Sequence, residues 1–430
     1  VATVRRTLAD WLAYQQQLHP RSIELGLERV RRVAGRLGLE ATLCPTAIVG
    51  GTNGKGSTAT LLAALLGAAG RRTGLFTSPH LVRYNERVVV DGAPVADAAL
   101  IEAFAAIEAA RGAESLTFFE CNTLAALWVF RAARADAIVL EVGLGGRLDA
   151  TNIIDADVAV VCSIGFDHRD WLGDTLEAIG AEKAGIFRAG RPAVLGSADM
   201  PSSVYAAARA LGCPLAVAER DFHWSVAADG SWSWRDAGGA YESLPAPALS
   251  GHIQYRNAAT ALAALRRLPG IAPPAAAAIA AGLAAARIAG RLQVVPGAVE
   301  WLLDVAHNAP AAAVLAAELR ARAGARARAG AGRHIGVVGM LGDKDVRAVA
   351  AELDPLIDHW IFCGIADEPR GLDAATLHAR AGRLAGTAES ATTIAAGCER
   401  AGALARRGDR VVVFGSFHAV GPALEWLRLY

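Results

Sequence analysis

The segment Gly50-Gly51-Thr52-Asn53-Gly54-Lys55-Gly56-Ser57-Thr58 follows the apolar run Thr46-Ala47-Ile48-Val49 and precedes leucines at helical spacing, Leu61, Leu62, Leu65 and Leu66. A buried strand thus ends in a glycine-rich turn that opens a helix. Such a turn cradles phosphate. Its glycines let backbone N–H groups face an anion, and the helix N-terminus adds the positive end of its dipole. Lys55 can reach the outer phosphates of a nucleotide, and Ser57 or Thr58 can offer a hydroxyl to Mg²⁺. The match to G-x-x-x-x-G-K-[ST] is imperfect, because Val49 stands where glycine is wanted and Gly56 where a hydroxyl is wanted. A plain strand–helix turn is the competing reading. The flanking strand and helix favour an ATP site.

Other polar groups stand at the ends of strand candidates. Glu141 closes the run 136–142 and opens Val142-Gly143-Leu144-Gly145-Gly146-Arg147-Leu148-Asp149-Ala150-Thr151-Asn152. Ser78-Pro79-His80 follows the run 73–77, and Asp167-His168 follows 157–163. Taken singly, a serine before proline or a D-H pair is ordinarily a turn or cap residue. In an open α/β sheet, however, ligands bind at the carboxyl edge of the strands. Side chains converging there beside a phosphate loop suit Mg²⁺, which takes oxygen ligands. Farther on, Asp304-Val305-Ala306-His307-Asn308 and Gly415-Ser416-Phe417-His418 again follow strand candidates. Asp343-Lys344-Asp345 is divided evenly between a charged loop and a helix cap. His19, His223, His334 and His359 have no such placement and read as structural.

The elements that must position these groups form two series. Residues 1–45 read as helices, with Trp11, Tyr14 and Leu18 on one face. Strand candidates 46–49, 73–77, 136–142, 157–163 and 192–195 then alternate with helices, including 97–110 with Asp97 as N-cap and 119–134. That alternation implies a mostly parallel sheet covered by helices. Trp224, Trp232 and Trp234 around Asp229-Gly230 predict an appended β-hairpin within 220–245. The stretch 269–289, opened by Pro269-Gly270 and Pro273-Pro274, precedes a second series with strands at 299–304, 334–339, 359–364 and 410–414. The expected domains are therefore 1–288 and 289–430. The Ala/Arg-rich segment 320–333 reads as a solvated helix end and loop.

At 430 residues, two domains are expected, and 53% apolar against 20% charged residues allow a sizeable core. A formal charge of +1 argues against a nucleic-acid protein with a dominant basic face. Six scattered cysteines without a C-x-x-C pair suit a reducing compartment. The start, Val1 to Arg6, shows no signal peptide. Residues 272–290 have the length of a membrane span but carry Pro273-Pro274 and Arg287, which favours a helix in water. The expected location is cytoplasmic, with no membrane partner.

Read together, these motifs resemble the Mur ligase superfamily and, within it, the bifunctional bacterial dihydrofolate/folylpolyglutamate synthases. The resemblance rests on Thr52 to Ser57, Ser78-Pro79-His80-Leu81, the block 141–152, Asp167-His168 and Glu182-Lys183-Ala184-Gly185-Ile186-Phe187. It continues in order through Asn257-Ala258-Ala259-Thr260-Ala261-Leu262, Gly290-Arg291, Asp304 to Asn308 and Gly415 to His418. It implies a Mur-ligase-like P-loop domain with a mostly parallel sheet, then a smaller Rossmann-like α/β domain. The activity implied is ATP-dependent addition of L-glutamate to dihydropteroate and to reduced folates. Thr52, Asn53, Gly54, Lys55, Gly56, Ser57, Asn257, Arg291 and Asp304 match ATP-binding positions. Ser57, Ser78, Glu141 and His168 match Mg²⁺ ligands, with two ions implied and K⁺ as a further candidate. Thr117, Phe118, Phe119, Glu120, Leu148, Asp149 and Ala150 match the pterin site. His307 and Ser416 match the glutamate side. Lys55, Lys183, His307 and Asp304 are the catalytic candidates, and Lys183 matches a lysine carbamylated in the family. Ala289 departs from the proline that relatives often carry before Gly-Arg. A monomer is implied.

Three other readings are weighed against this one. A synthase limited to folylpolyglutamate formation fits the same motifs. A cell-wall ligase acting on a UDP-sugar peptide wants a whole domain before the phosphate loop, where only 49 residues precede Gly50. A P-loop ATPase driving motion finds only a faint transporter-like Leu249-Ser250-Gly251-His252-Ile253-Gln254 and no N-K-x-D motif.

Overall fold

The computed structural model describes residues 6–21, 23–41, 44–326, 332–366 and 368–430, the side chains of 323–326 excepted. Val1 to Arg5 and part of the 320–333 segment lie outside the described residues. An eight-stranded sheet carries the first half. Its order is 93–94, 88–90, 73–76, 137–141, 46–50, 158–161, 193–195, 215–217, and all neighbours are parallel except at the 88–90 and 93–94 edge. The strand Thr46–Gly50 is central and buried throughout, as its unbroken apolar run requires. One face of the sheet packs on Phe104, Leu124 and Phe130, and the other on Leu61, Leu65, Leu262 and Leu265.

The sheet of the second half has the order 293–295, 300–303, 410–414, 334–338, 359–363, 387–391, parallel except for its first strand. It has its own cores on both faces, around Leu315, Leu353 and Trp360 and around Ile361, Cys398 and Val411. Among the described residues, no helix is long and apolar enough to cross a membrane.

Several expectations are corrected. Asp97 is the first helical residue of Asp97–Arg111 rather than its N-cap, which is Ala96. The Asp97 carboxylate instead accepts from Asn85 at 2.9 Å. The hairpin at Asp229-Gly230 forms from Phe222–Val226 and Trp232–Asp236, but a third strand, Gly239–Leu244, extends it to a meander. Trp232 and Trp234 are fully buried there, and the Trp234 indole donates to Ala259 O at 3.1 Å. The strands 293–295 and 387–391 went unread because neither is a continuous apolar run. The junction 269–290 is also less loose than its prolines suggest. Ala276–Ala285 is a helix whose Ile279 and Leu283 are buried in the core beside Leu61 and Leu65. Gly282 sits so close to Leu65 that a Cβ there would lie 2.9 Å from the Leu65 Cα. The helix thus belongs to the core of the first half, and the chain leaves it at Ala286.

Candidate active site

Gly51, at φ +136, brings the backbone so near the next strand that a Cβ would lie 3.0 Å from the Cys162 nitrogen. Gly54, at φ +87, is the N-cap of the helix Lys55–Ala68, and a Cβ on it would meet the Asn257 carboxamide oxygen at 3.0 Å. Both positions demand glycine. Thr52 N donates to Ser163 O at 2.7 Å, and the Thr52 hydroxyl bridges Gly165 O and N. The Lys55 ammonium donates to the carbonyls of Gly51 and Thr52 at 3.1 and 3.2 Å. Lys183, distant in sequence and buried, donates to the same Gly51 carbonyl at 3.0 Å. Burial, reinforced by the charge of Lys55, pulls the Lys183 amine down to about 7.

Glu141 ends the strand 137–141 beside this loop. It is 3% exposed and accepts from Ser78 N at 3.0 Å. Burial pushes its carboxyl up, against the pull of Lys55 and Arg291. Ser57 is buried in the first helical turn, and a Cβ on neighbouring Gly56 would stand 3.4 Å from a Glu141 oxygen. His168 has φ +52 and lies on the Lys183 side, within electrostatic reach of Lys183 and Lys55. Burial holds its imidazole down at about 4, the neutral form a metal ligand needs. Among the described residues no three His, Cys, Asp or Glu side chains form a metal-holding group. The hydroxyls of Ser57 and Ser78 and the Glu141 carboxylate are oxygen donors of the kind Mg²⁺ takes, and the His168 imidazole would add a nitrogen donor. Glu141→Gln keeps the shape and removes the charge. The expected result is a Mg²⁺ requirement raised by about tenfold or more, read by titrating activity against Mg²⁺; an unchanged titration removes Glu141 from the site.

The candidate pterin residues meet where the helix Phe118–Ala132 begins. Phe119 packs so tightly on Gly143 that a Cβ there would lie 2.5 Å from its ring. Phe118 and Phe119 are half-buried and Leu148 is exposed, so all three retain surface for a ligand. Thr117 and Glu120 form a capping box, and Glu120 also binds Arg29 at 2.9 Å. Asp149 is buried and accepts from the backbone of Gly143, Leu144 and Thr151, which fixes the glycine-rich block. Ala150 opens the short 3₁₀ turn that follows.

Across the junction, Asp304 is held by Leu292 N at 2.7 Å and Ala306 N at 2.8 Å. Arg291 donates to Gly290 O and lies over the Phe417 ring at 4.9 Å. His307 places Nδ1 2.7 Å from Val305 O and Nε2 3.4 Å from Asp167. Ser416 caps the helix Phe417–Trp426 by position, yet its hydroxyl is buried and makes no hydrogen bond. Asp345 does cap the next helix, accepting from Ala348 N at 3.0 Å. Asp167, read with His168 as a metal-side pair, turns away from that role. Its carboxylate binds Lys344 at 2.7 Å and Asn308 at 3.0 Å. Asn53 of the phosphate loop also exchanges amide bonds with Asn308, at 3.0 and 3.2 Å. Asn308 and Lys344 lie in segments that the sequence singles out, Asp304 to Asn308 and Asp343 to Asp345, without a role for either. Their only signal was a place just after a strand.

With both halves of the cleft in view, residues 49–217 match the Mur ligase middle domain and residues 290–417 the Mur ligase, glutamate ligase domain. The chain is 45% identical to the dihydrofolate synthase/folylpolyglutamate synthase of Escherichia coli over 97% of its length and 95% of the relative's. It belongs to that family. The Haemophilus influenzae member is 39% identical, with 96% of each chain covered. The structure of E. coli FolC in complex with DHPP and ADP superposes with a TM-score of 0.92 at 44% identity, covering 100% of this chain and 99% of that one. A bifunctional folylpolyglutamate synthase/dihydrofolate synthase with Mn, AMPPNP and L-glutamate bound gives 0.88 at 42% identity, covering 98% of each.

Proposed function

We propose that this chain joins L-glutamate to dihydropteroate and to reduced folates at the expense of ATP, through an acyl phosphate. The observation that carries the reading is the contact of Asn53 in the phosphate loop with Asn308 at the head of the second domain. It supports setting the phosphate loop against the residues proposed for glutamate.

In the first step a substrate carboxylate oxygen attacks the γ-phosphorus and ADP leaves. Two anions approach each other, so Lys55 and Arg291 lower the repulsion. Bound Mg²⁺, two ions held through Ser57, Ser78, Glu141 and His168, would further neutralise the phosphates. In the second step the amine of glutamate, positioned by His307 and Ser416, attacks the acyl carbon. Phosphate leaves, and the amine gives up a proton. Closing the second domain on the first keeps water from the acyl phosphate. Thr117 to Glu120 and Leu148 to Ala150 hold the pterin. Asn257, Arg291 and Asp304 hold the nucleotide. Only a neutral amine can add to CO₂, and the lowered value of Lys183 favours the carbamylation that the family implies. The chain acts as a cytoplasmic monomer.

The stoichiometry tests this reading. With ATP, labelled L-glutamate and dihydropteroate, one ADP and one phosphate are expected per amide formed, and tetrahydrofolate is expected to be extended as well. ADP formation at full rate without any folate or pteroate acid would mark a simple ATPase. Extension of tetrahydrofolate alone would restrict the enzyme to folylpolyglutamate synthesis.

A further inference from the structure

Asp167 takes no part in the chemistry just described, yet its carboxylate is engaged across the cleft. It follows the strand 158–161 in the first domain, and its side chain is 9% exposed. One oxygen binds the Lys344 ammonium at 2.7 Å. The other accepts from Asn308 at 3.0 Å and lies 3.4 Å from His307 Nε2. All three partners belong to the second domain and stem from two separate elements. Lys344 sits in the turn after the strand His334–Val338, and His307 and Asn308 head the helix Ala309–Arg326. The partners lie 141 and 177 residues away in the chain, for Asn308 and Lys344.

We infer that Asp167 is a positioning residue that locks the second domain in register with the phosphate loop, so that the incoming amine meets the activated carbonyl. The inference rests on the reading that the second domain carries glutamate. Other charges face the cluster: His168 at 3.9 Å from Asp167, and Asp343 at 3.5 Å from Lys344, itself paired with Arg370. Burial disfavours the Asp167 carboxylate, but the His307 hydrogen bond and the charge of Lys344 outweigh it and hold the group ionised. An ion pair within one core often adds little net stability. This one joins two bodies with separate cores. Its loss therefore falls on docking rather than on the folding of either half.

A double-mutant cycle on the full chain tests this, with Asp167→Asn and Lys344→Met measured alone and together. Each single change is expected to lower kcat/KM for glutamate by about tenfold or more, with KM for ATP and for dihydropteroate held within about threefold. The double mutant should be no worse than the poorer single by more than about twofold, because both remove one contact. Asn308→Ala, which leaves both charges in place, should show the same selective loss at about threefold. That variant decides the matter if Asp167→Asn does not fold. Additive losses, unchanged glutamate kinetics, or KM values rising in parallel for all substrates would overturn the lock. A non-additive loss falling on ATP alone would keep the lock and move glutamate out of the second domain.

Discussion

Replacing Lys55 by alanine is expected to lower turnover by about 10³-fold or more, with the fold intact. Lys55 is the only side-chain cation of the loop 50–58. Its ammonium lies inside that loop, on the carbonyls of Gly51 and Thr52, and so is held where phosphate oxygens would be cradled. As the γ-phosphate accepts a carboxylate oxygen, charge builds on atoms that the remaining backbone N–H groups reach only as dipoles. Losing a full charge there corresponds to about 4 kcal/mol of transition-state stabilisation. Lys183 shares the Gly51 carbonyl but does not replace Lys55, because burial lowers its amine to about 7 and leaves much of it neutral. Near-normal turnover in the purified variant, with unchanged circular dichroism and thermal midpoint, would show that this loop is not the ATP cradle.

Much of this site was legible because its chemistry is local. The loop 50–58 carries strand, turn and helix signals within a few residues, and the structure places each where those signals put it. Glu141 could be placed at a strand end because it directly follows the unbroken apolar run 137–140. What could not be read depends on contacts between distant segments. Asp167 was legible only as a strand-end residue beside His168, whose N–H it does accept at 2.9 Å, whereas its carboxylate also reaches Lys344, His307 and Asn308. No periodicity encodes such a pairing. Asp97 was read as a cap because aspartate favours that position, but the Asn85 amide claims its carboxylate. The stretch 269–289 was legible only as a Pro- and Gly-opened boundary, because those residues break elements. Gly282 instead allows the helix 276–285 to approach Leu65 closely, and tertiary packing prevails over local composition.

On the proposed function, neither half of the chain holds a complete site. The phosphate loop, Ser78, Glu141 and His168 lie in the first 288 residues, whereas Arg291, Asp304, His307 and Ser416 lie beyond them. The two halves also have separate sheets, so the first can be expressed without cutting one. Amide formation by purified fragment 1–288, assayed with ATP, labelled glutamate and dihydropteroate, is therefore the most direct measurement. The fragment is expected to bind nucleotide through its loop, at least tenfold more weakly than the full chain by a rough reckoning of the Arg291 and Asp304 contacts it lacks. It is expected to form no dihydrofolate above the no-enzyme control. Nucleotide binding serves as the check that it has folded. Glutamate ligation by that fragment at a rate comparable to the full chain would show that the second half is not needed for catalysis.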